Sequence, residues 1–180
     1  MSIEQIPFPQ KKYNIIYADP PWEYSSGGSK RNAKRHYATM KPEEIYSLPI
    51  NKIADEHCVL FLWATFPNIH IALETMKQWG FIYKTLGFVW VKRNKKSDGW
   101  FWGGGNYTRS NPEICLIGIR GKLKRVSASV HSVCDARVRE HSRKPDEIRD
   151  RIVQLYGDLP RIELFARQYA EGWDCWGNEV

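Results

Sequence analysis

The chain lacks most features that would send it to a membrane, an oxidising compartment or a structural metal. No apolar run in its 180 residues approaches the roughly 18 that a membrane span needs. The start, Met-Ser-Ile-Glu-Gln-Ile-Pro, has neither the basic end nor the apolar stretch of a secretory signal. Cysteine is scarce. The four residues, at 58, 115, 134 and 175, show no Cys-x-x-Cys or close Cys/His spacing, so no metal is expected. Cys58 and Cys115 fall inside apolar strand-like runs and read as buried free thiols, which fits a reducing cytoplasm. Repeats, low-complexity tracts and linkers are absent, and one domain spanning 1–180 is expected. There is no G-x-G-x-x-G. The run Gly103–Gly105 does not by itself define a phosphate cradle. The five histidines share no spacing and receive no role.

Positive charge and aromatic rings are what the chain has in excess. The formal charge is +7, with eight Trp and nine Tyr. The cations cluster as Lys30, Arg31, Lys34 and Arg35, as Lys92, Arg93, Lys95 and Lys96, and as Lys122, Lys124 and Arg125. Tyr24, Tyr37, Trp100, Phe101 and Trp102 lie beside the first two groups. Interleaved cations and rings suit phosphate attraction and base stacking. A solvated basic surface is the other reading.

Apolar runs predict buried strands at 13–18, 57–64, 81–92, 113–119 and 161–166, with an edge strand within 126–138. A short helix opens at Lys41-Pro42-Glu43-Glu44, with proline and acids in its first turn. Helical spacing runs from Pro67 to Trp79, capped by Gly80, and from Pro145 to the stop at Gly157. Alternating strands and helices predict a three-layer α/β sheet, with ligands outside the carboxyl ends of its strands. Asp19 and Arg167 each follow a predicted strand. The loops 23–38 and 93–110 are long, basic and glycine-containing, which suits closure over a site.

At the end of the first strand stands Asp19-Pro20-Pro21-Trp22. An exocyclic amine on a heteroaromatic ring is a poor nucleophile, because its lone pair is delocalised into the ring. A site that accepts both N–H hydrogens aims that lone pair at an electrophile. Asp19 can accept one and the Pro20 carbonyl the other. Successive prolines fix φ near −65° and hold the carbonyls in place, and Trp22 can stack on the ring. On attack at a sulfonium methyl the nitrogen becomes cationic and acidic, so no strong base is needed. Carboxylate electrostatics and alignment supply the help. A base in a duplex must first leave the stack. The tetrapeptide is equally compatible with a rigid turn in which Trp22 only packs.

The chain resembles the MT-A-seventy family of adenine N6-methyltransferases. The resemblance runs from about Tyr13 to Asn178. It rests on Ala18-Asp19-Pro20-Pro21-Trp22, Tyr37-Ala38-Thr39-Met40, Leu60-Phe61-Leu62-Trp63, Phe88-Val89-Trp90-Val91-Lys92, Glu113-Ile114-Cys115-Leu116-Ile117-Gly118, Ser142-Arg143-Lys144-Pro145-Asp146-Glu147, Ile162-Glu163-Leu164-Phe165-Ala166-Arg167 and Trp176-Gly177-Asn178.

It implies a Rossmann-like class I methyltransferase, a three-layer sandwich in permuted order with the motif strand first. It implies S-adenosyl-L-methionine as donor, with Asp19 at the methionyl amine, Lys144 near the methionyl carboxylate, and Arg167, Asn178 and Glu179 around the ribose and adenine. Tyr37, Lys34, Arg35, Arg109, Asn111 and Glu113 are candidates for the nucleic-acid side. The alternatives are packing for Tyr37 and a hydrogen-bond cluster at the strand start for Arg109, Asn111 and Glu113. The messenger-RNA members carry His-Asn where this chain has Tyr169-Ala170. The expected activity is N6-methylation of adenine in DNA, with RNA, or a catalytically silent nucleic-acid-binding partner, as alternatives. A chain of this size without a separate target-recognition domain is expected to read a short or relaxed target sequence, or to take help from a homodimer or a second subunit.

Overall fold

The apolar runs become the interior of a sheet. The computed structural model describes residues 6–23, 39–105, 107–140 and 143–180. Strand β1 (Tyr13–Ala18) leads to the short helices α1 (Pro42–Tyr46) and α2 (Ile50–Ile53), then β2 (Ala54–Ala64) and α3 (Ile69–Gln78). Strands β3 (Ile82–Arg93), β4 (Glu113–Arg120) and β5 (Val133–Arg137) follow, then α4 (Glu147–Tyr156), β6 (Arg161–Leu164) and β7 (Asp174–Trp176). Among the described residues these strands form one seven-stranded sheet in the order β5-β3-β4-β2-β1-β6-β7. Every pairing is parallel except those of β4, which runs against both β2 and β3.

Period-two alternation divides the core between two faces. Ile16 and Ala18 of β1, with Leu60 and Leu62 of β2, pack with Ile45, Ile50, Ile53, Met76 and Trp79. Their neighbours Ile15, Tyr17, Val59, Phe61 and Trp63 pack with Ile148, Ile152 and Tyr156 of α4. Strands covered on both faces need continuous apolar runs, which is what β1 and β2 have. The result is the expected α/β/α sandwich with the motif strand first, a Rossmann-like arrangement.

Helix α3 ends as its glycine requires. Gly80 takes φ 82°. Its N–H donates to the Lys77 carbonyl at 3.0 Å, and that of Phe81 to Met76 at 2.8 Å, a Schellman cap. Some boundaries move. β2 begins at Ala54 rather than His57, and the edge strand narrows to Val133–Arg137. β6 stops at Leu164 because Phe165 turns to φ 59°. β7 had no sequence signal, since three residues are too few to show a period.

Strands β1, β2, β3, β6 and β7 all end at one edge of the sheet, where β4 begins. There β1 lies between β2, the next strand in sequence, and β6, a late one. Connections diverge from that point to opposite faces, which opens a crevice beyond the strand ends.

Candidate active site

Asp19 leaves the end of β1 at this crevice. The two prolines after it donate no hydrogen bonds, and their carbonyls hold the turn. Trp22 N–H donates to the Pro20 carbonyl and Met40 N–H to the Pro21 carbonyl, both at 2.9 Å. A further lock comes from tryptophan. The Trp22 indole N–H donates to the Trp63 carbonyl at 3.0 Å, and the Trp63 indole to the Tyr17 hydroxyl at 2.7 Å. Trp22 is 6% exposed, so its ring walls the turn. Packing describes its geometry here better than an open stacking face does.

A chain of charges crosses the strand ends. Lys144 Nζ lies 2.8 Å from Asp19 Oδ2 and 3.1 Å from Glu113 Oε2, and Glu113 Oε1 lies 2.5 Å from Lys92 Nζ. Lys144 comes from the segment before α4, Glu113 opens β4 and Lys92 lies near the end of β3, so residues of four separate stretches link end to end from Lys92 to Asp19. The ammonium of Lys144 also sits 5.5 Å above the Trp63 ring centre. Burial alone would depress Lys144, but Asp19 and Glu113 override it and raise its pKa. Burial would raise Glu113, and Lys144 and Lys92 hold it below the usual range instead.

Asp19 is salt-linked, yet a narrow, solvent-open cleft lies beside it. Its acids are Asp19 and Glu163, and its cations are Arg143, Lys144, Arg149 and Arg167. Phe165 and Tyr17 add ring surface. Glu163 on β6 takes a paired bond from Arg149 at 2.5 and 2.9 Å. Burial nevertheless raises its pKa, against the pull of Arg149. Arg149 reaches on to Asp146 at 2.8 Å, and Asp146 also binds Arg139 and Arg143.

Seven of the sequence candidates thus lie at this site: Asp19, Pro20, Pro21, Trp22, Lys144, Glu113 and Arg167. Asn178 and Glu179 stand on an exposed turn after β7 and are not part of the cleft lining. That turn is pressed against the end of β6. Ala166 N–H donates to the Trp176 carbonyl at 3.0 Å. A Cβ on Gly177 would lie 2.4 Å from the Ala166 oxygen, so only glycine fits.

Arg109 and Asn111 make no side-chain to side-chain link to the charge chain among the described residues. Arg109 donates to the Trp102 carbonyl at 3.2 Å. Buried Asn111 bonds both backbone groups of Lys92 at 2.9 Å and the Phe101 carbonyl at 2.5 Å, so its amide is committed to strand geometry. Tyr37, Lys34, Arg35, Lys30 and Arg31 lie outside the described residues. Sequence reasoning gave Glu163 and Arg149 no role. The available signal was an acid inside the otherwise apolar run Ile162-Glu163-Leu164-Phe165, since unpaired acids are rarely buried.

A motif-first sheet with one reversed strand, an aspartate at the end of β1 and a mixed-charge cleft at the switch point make up a Rossmann-like arrangement. The MT-A70 family model matches residues 13–179. The chain belongs to the MT-A70 family of methyltransferases. It is 35% identical to the Type II methyltransferase M.MunI of Mycoplasma sp, over 96% of this chain and 79% of that protein. The N(6)-adenosine-methyltransferase catalytic subunit METTL3 of Homo sapiens is 30% identical over 94% of this chain, which spans 28% of that protein. A Medicago truncatula protein described as a putative N(6)-adenosine-methyltransferase MT-A70-like is 31% identical over 94% of this chain, which spans 26% of that protein. Among the described residues no helix is long and apolar enough to cross a membrane.

Proposed function

We propose that this protein transfers a methyl group from S-adenosyl-L-methionine to the N6 amine of adenine in DNA. One observation carries the reading: a carboxylate directed by a buried lysine, on a turn of two prolines, at the rim of a cleft between β1 and β6.

The donor set suits the proposed cofactor. An α-amino acid end carries one ammonium and one carboxylate, and the cleft offers Asp19 and Glu163 to the first, Lys144 and Arg167 to the second. The buried Arg143 Nε has no hydrogen-bond partner among the described residues, so a donor stands ready at the same place. Asn178 and Glu179 would serve the nucleoside end. When bound, the cofactor supplies an electrophilic methyl on a sulfonium.

The chain's residues do the rest by orientation. Lys144 bonds Asp19 Oδ2, so Oδ1 accepts one amine hydrogen. The Pro20 carbonyl spends one lone pair on Trp22 N–H and offers its second to the other hydrogen. Both bonds strengthen as the nitrogen gains positive charge, which lowers the barrier without a strong base, and the methylated nitrogen, now acidic, then releases its extra proton to solvent. Trp22 and Trp63 keep the turn from yielding.

The choice of DNA rests on the match to a Type II methyltransferase along 79% of that protein, against about a quarter for the N(6)-adenosine-methyltransferases. Identity of 30% to the latter keeps RNA as the second reading. Labelled cofactor is incubated with matched single-stranded DNA, duplex DNA and RNA, and the product is digested and weighed as nucleosides. N6-methyldeoxyadenosine is expected. Label in RNA alone, or in N4-methylcytosine, overturns the reading.

A further inference from the structure

Between β3 and β4 the chain builds an arm. Asn94 N–H donates to the Gly99 carbonyl and Phe101 N–H to the Lys92 carbonyl, both at 2.9 Å, so the segment 92–101 is a hairpin that prolongs β3. β5 fixes its base. Arg93 takes a paired bond to Asp135 at 2.7 and 2.6 Å, and Arg137 binds Asp98 at 2.5 Å. A second closure follows, with Gly103 N–H donating to the Ser110 carbonyl at 2.7 Å. A Cβ on Gly105 would lie 2.1 Å from the Thr108 oxygen, so the tip is wound too tightly for any other residue.

Side chains alternate along this arm. Phe101 faces Lys92, whose ammonium is 5.9 Å from the ring centre and which leads through Glu113 to Lys144. On either side of it, Trp100 and Trp102 face outward, and the Arg93 guanidinium lies 3.8 Å from the Trp100 ring centre. Trp102 is 50% exposed and Tyr107, at the tip, is fully exposed. Elsewhere Trp63, Trp79 and Trp90 are buried completely. Exposing rings on this arm forgoes hydrophobic stabilisation and marks a contact surface. The charge of the arm selects the partner. Lys92, Arg93 and Lys95 are paired with Glu113, Asp135 and Glu140, and Asp98 with Arg137. That leaves Lys96 and Arg109 with no ion pair among the described residues, and a flat ring beside such cations suits a base beside phosphate.

We propose that this arm docks DNA, with Trp102 and Tyr107 stacking on bases beside the target adenine. The inference rests on the reading of DNA as substrate. The arm leaves the same edge of the sheet as Asp19, and its inner face touches the charge chain of the site.

The test is anisotropy titration of the full chain against a labelled adenine-containing duplex and its single strand, over a range of salt. W102A and Y107A are each expected to weaken binding roughly 5- to 150-fold, with W102F and Y107F recovering most of it. The slope of log affinity against log salt should not change, because the rings carry no charge. Y107A keeps the test valid if W102A does not fold, since the Tyr107 side chain is fully exposed. Wild-type affinity in the alanine variants overturns the proposal. So does a loss that the phenylalanine variants fail to recover, a self-association that the variants abolish while DNA binding persists, or a wild-type protein that binds no DNA. Ring-dependent DNA binding without any N6-methyladenine product would sustain the docking arm and overturn the enzymatic reading.

Discussion

Replacing Lys144 by methionine keeps the aliphatic stem and deletes one charge from the centre of the site. The lysine side chain is 9% exposed, as is that of Glu113, and that of Asp19 is 17% exposed. Glu113 keeps Lys92 at 2.5 Å, while Asp19 loses the ammonium at 2.8 Å. Removing one partner of a buried ion pair costs about 3–5 kcal/mol. The partial exposure of Asp19 and the second cation on Glu113 place the expected loss near ~3 kcal/mol. For a chain of this length that is about 6–12 °C in Tm.

The pH dependence is the sharper test of K144M. In the wild type Glu113 is held low by Lys144 and Lys92 against its burial. That stabilisation is present above the unfolded carboxyl value of about 4.3 and is lost as pH falls through the lower folded value. Lys144 is raised by Asp19 and Glu113 against its burial. Its contribution is present below the unfolded value of about 10.4 and is lost as pH rises through the folded value. The gap between wild type and K144M should therefore stay level from about pH 5 to 10 and narrow on either side. Urea melts followed by circular dichroism measure it. A gap below about 1 kcal/mol at pH 7, or one that does not move between pH 7 and pH 3, would refute the account of Lys144 as a counter-ion.

Asp19→Asn keeps the shape of the turn and leaves Glu113 to Lys144, so it should fold cooperatively while turnover falls by about 10²–10³; wild-type turnover in a methylation assay would remove Asp19 from the mechanism. Gly177→Ala drives a Cβ to 2.4 Å from the Ala166 oxygen and should cost about 1–3 kcal/mol, read from the melting curve; a Tm equal to wild type would show that the two turns part freely. Asp146 is pulled down to about 2, with hydrogen bonds from Arg139 and Arg149 overcoming its burial. Its stabilisation should be full above about pH 3.9 and fade as pH falls toward 2, so D146N should flatten the plot of Tm against pH in that window. An unchanged slope would place the acid sensitivity elsewhere.

Elements with a long apolar run or a strong punctuation residue were legible in the sequence. β1, β2 and β4 appear as continuous hydrophobic stretches, and Gly80 and Gly157 mark helix ends with positive φ. β7 was not legible, because three residues between turns carry no period. Asp19 and Lys144 were singled out through their motifs, but their 2.8 Å pairing joins residues 125 positions apart, and no local pattern encodes that. The Trp22 ring had two open readings, and only the position of the Trp63 carbonyl on β2 shows where its N–H goes. Arg109 and Asn111 sit close in sequence to Glu113, yet one holds a loop and the other a strand pair. Which side chain faces the site depends on the register of β3 against β4.

The sequence by itself determined which segments must be buried on both faces, where the chain must turn, and that a carboxylate would follow the first strand on a turn with no donors of its own. Those are consequences of hydrophobicity, missing N–H groups and backbone freedom, all of which act locally. Only the tertiary structure decided that β6 returns beside β1, that Lys144 lies between two acids, and that Glu163 meets Arg149 in the cleft. Each of these balances the desolvation of a charge against a partner far along the chain, and that balance exists only once the sheet has brought the strand ends together.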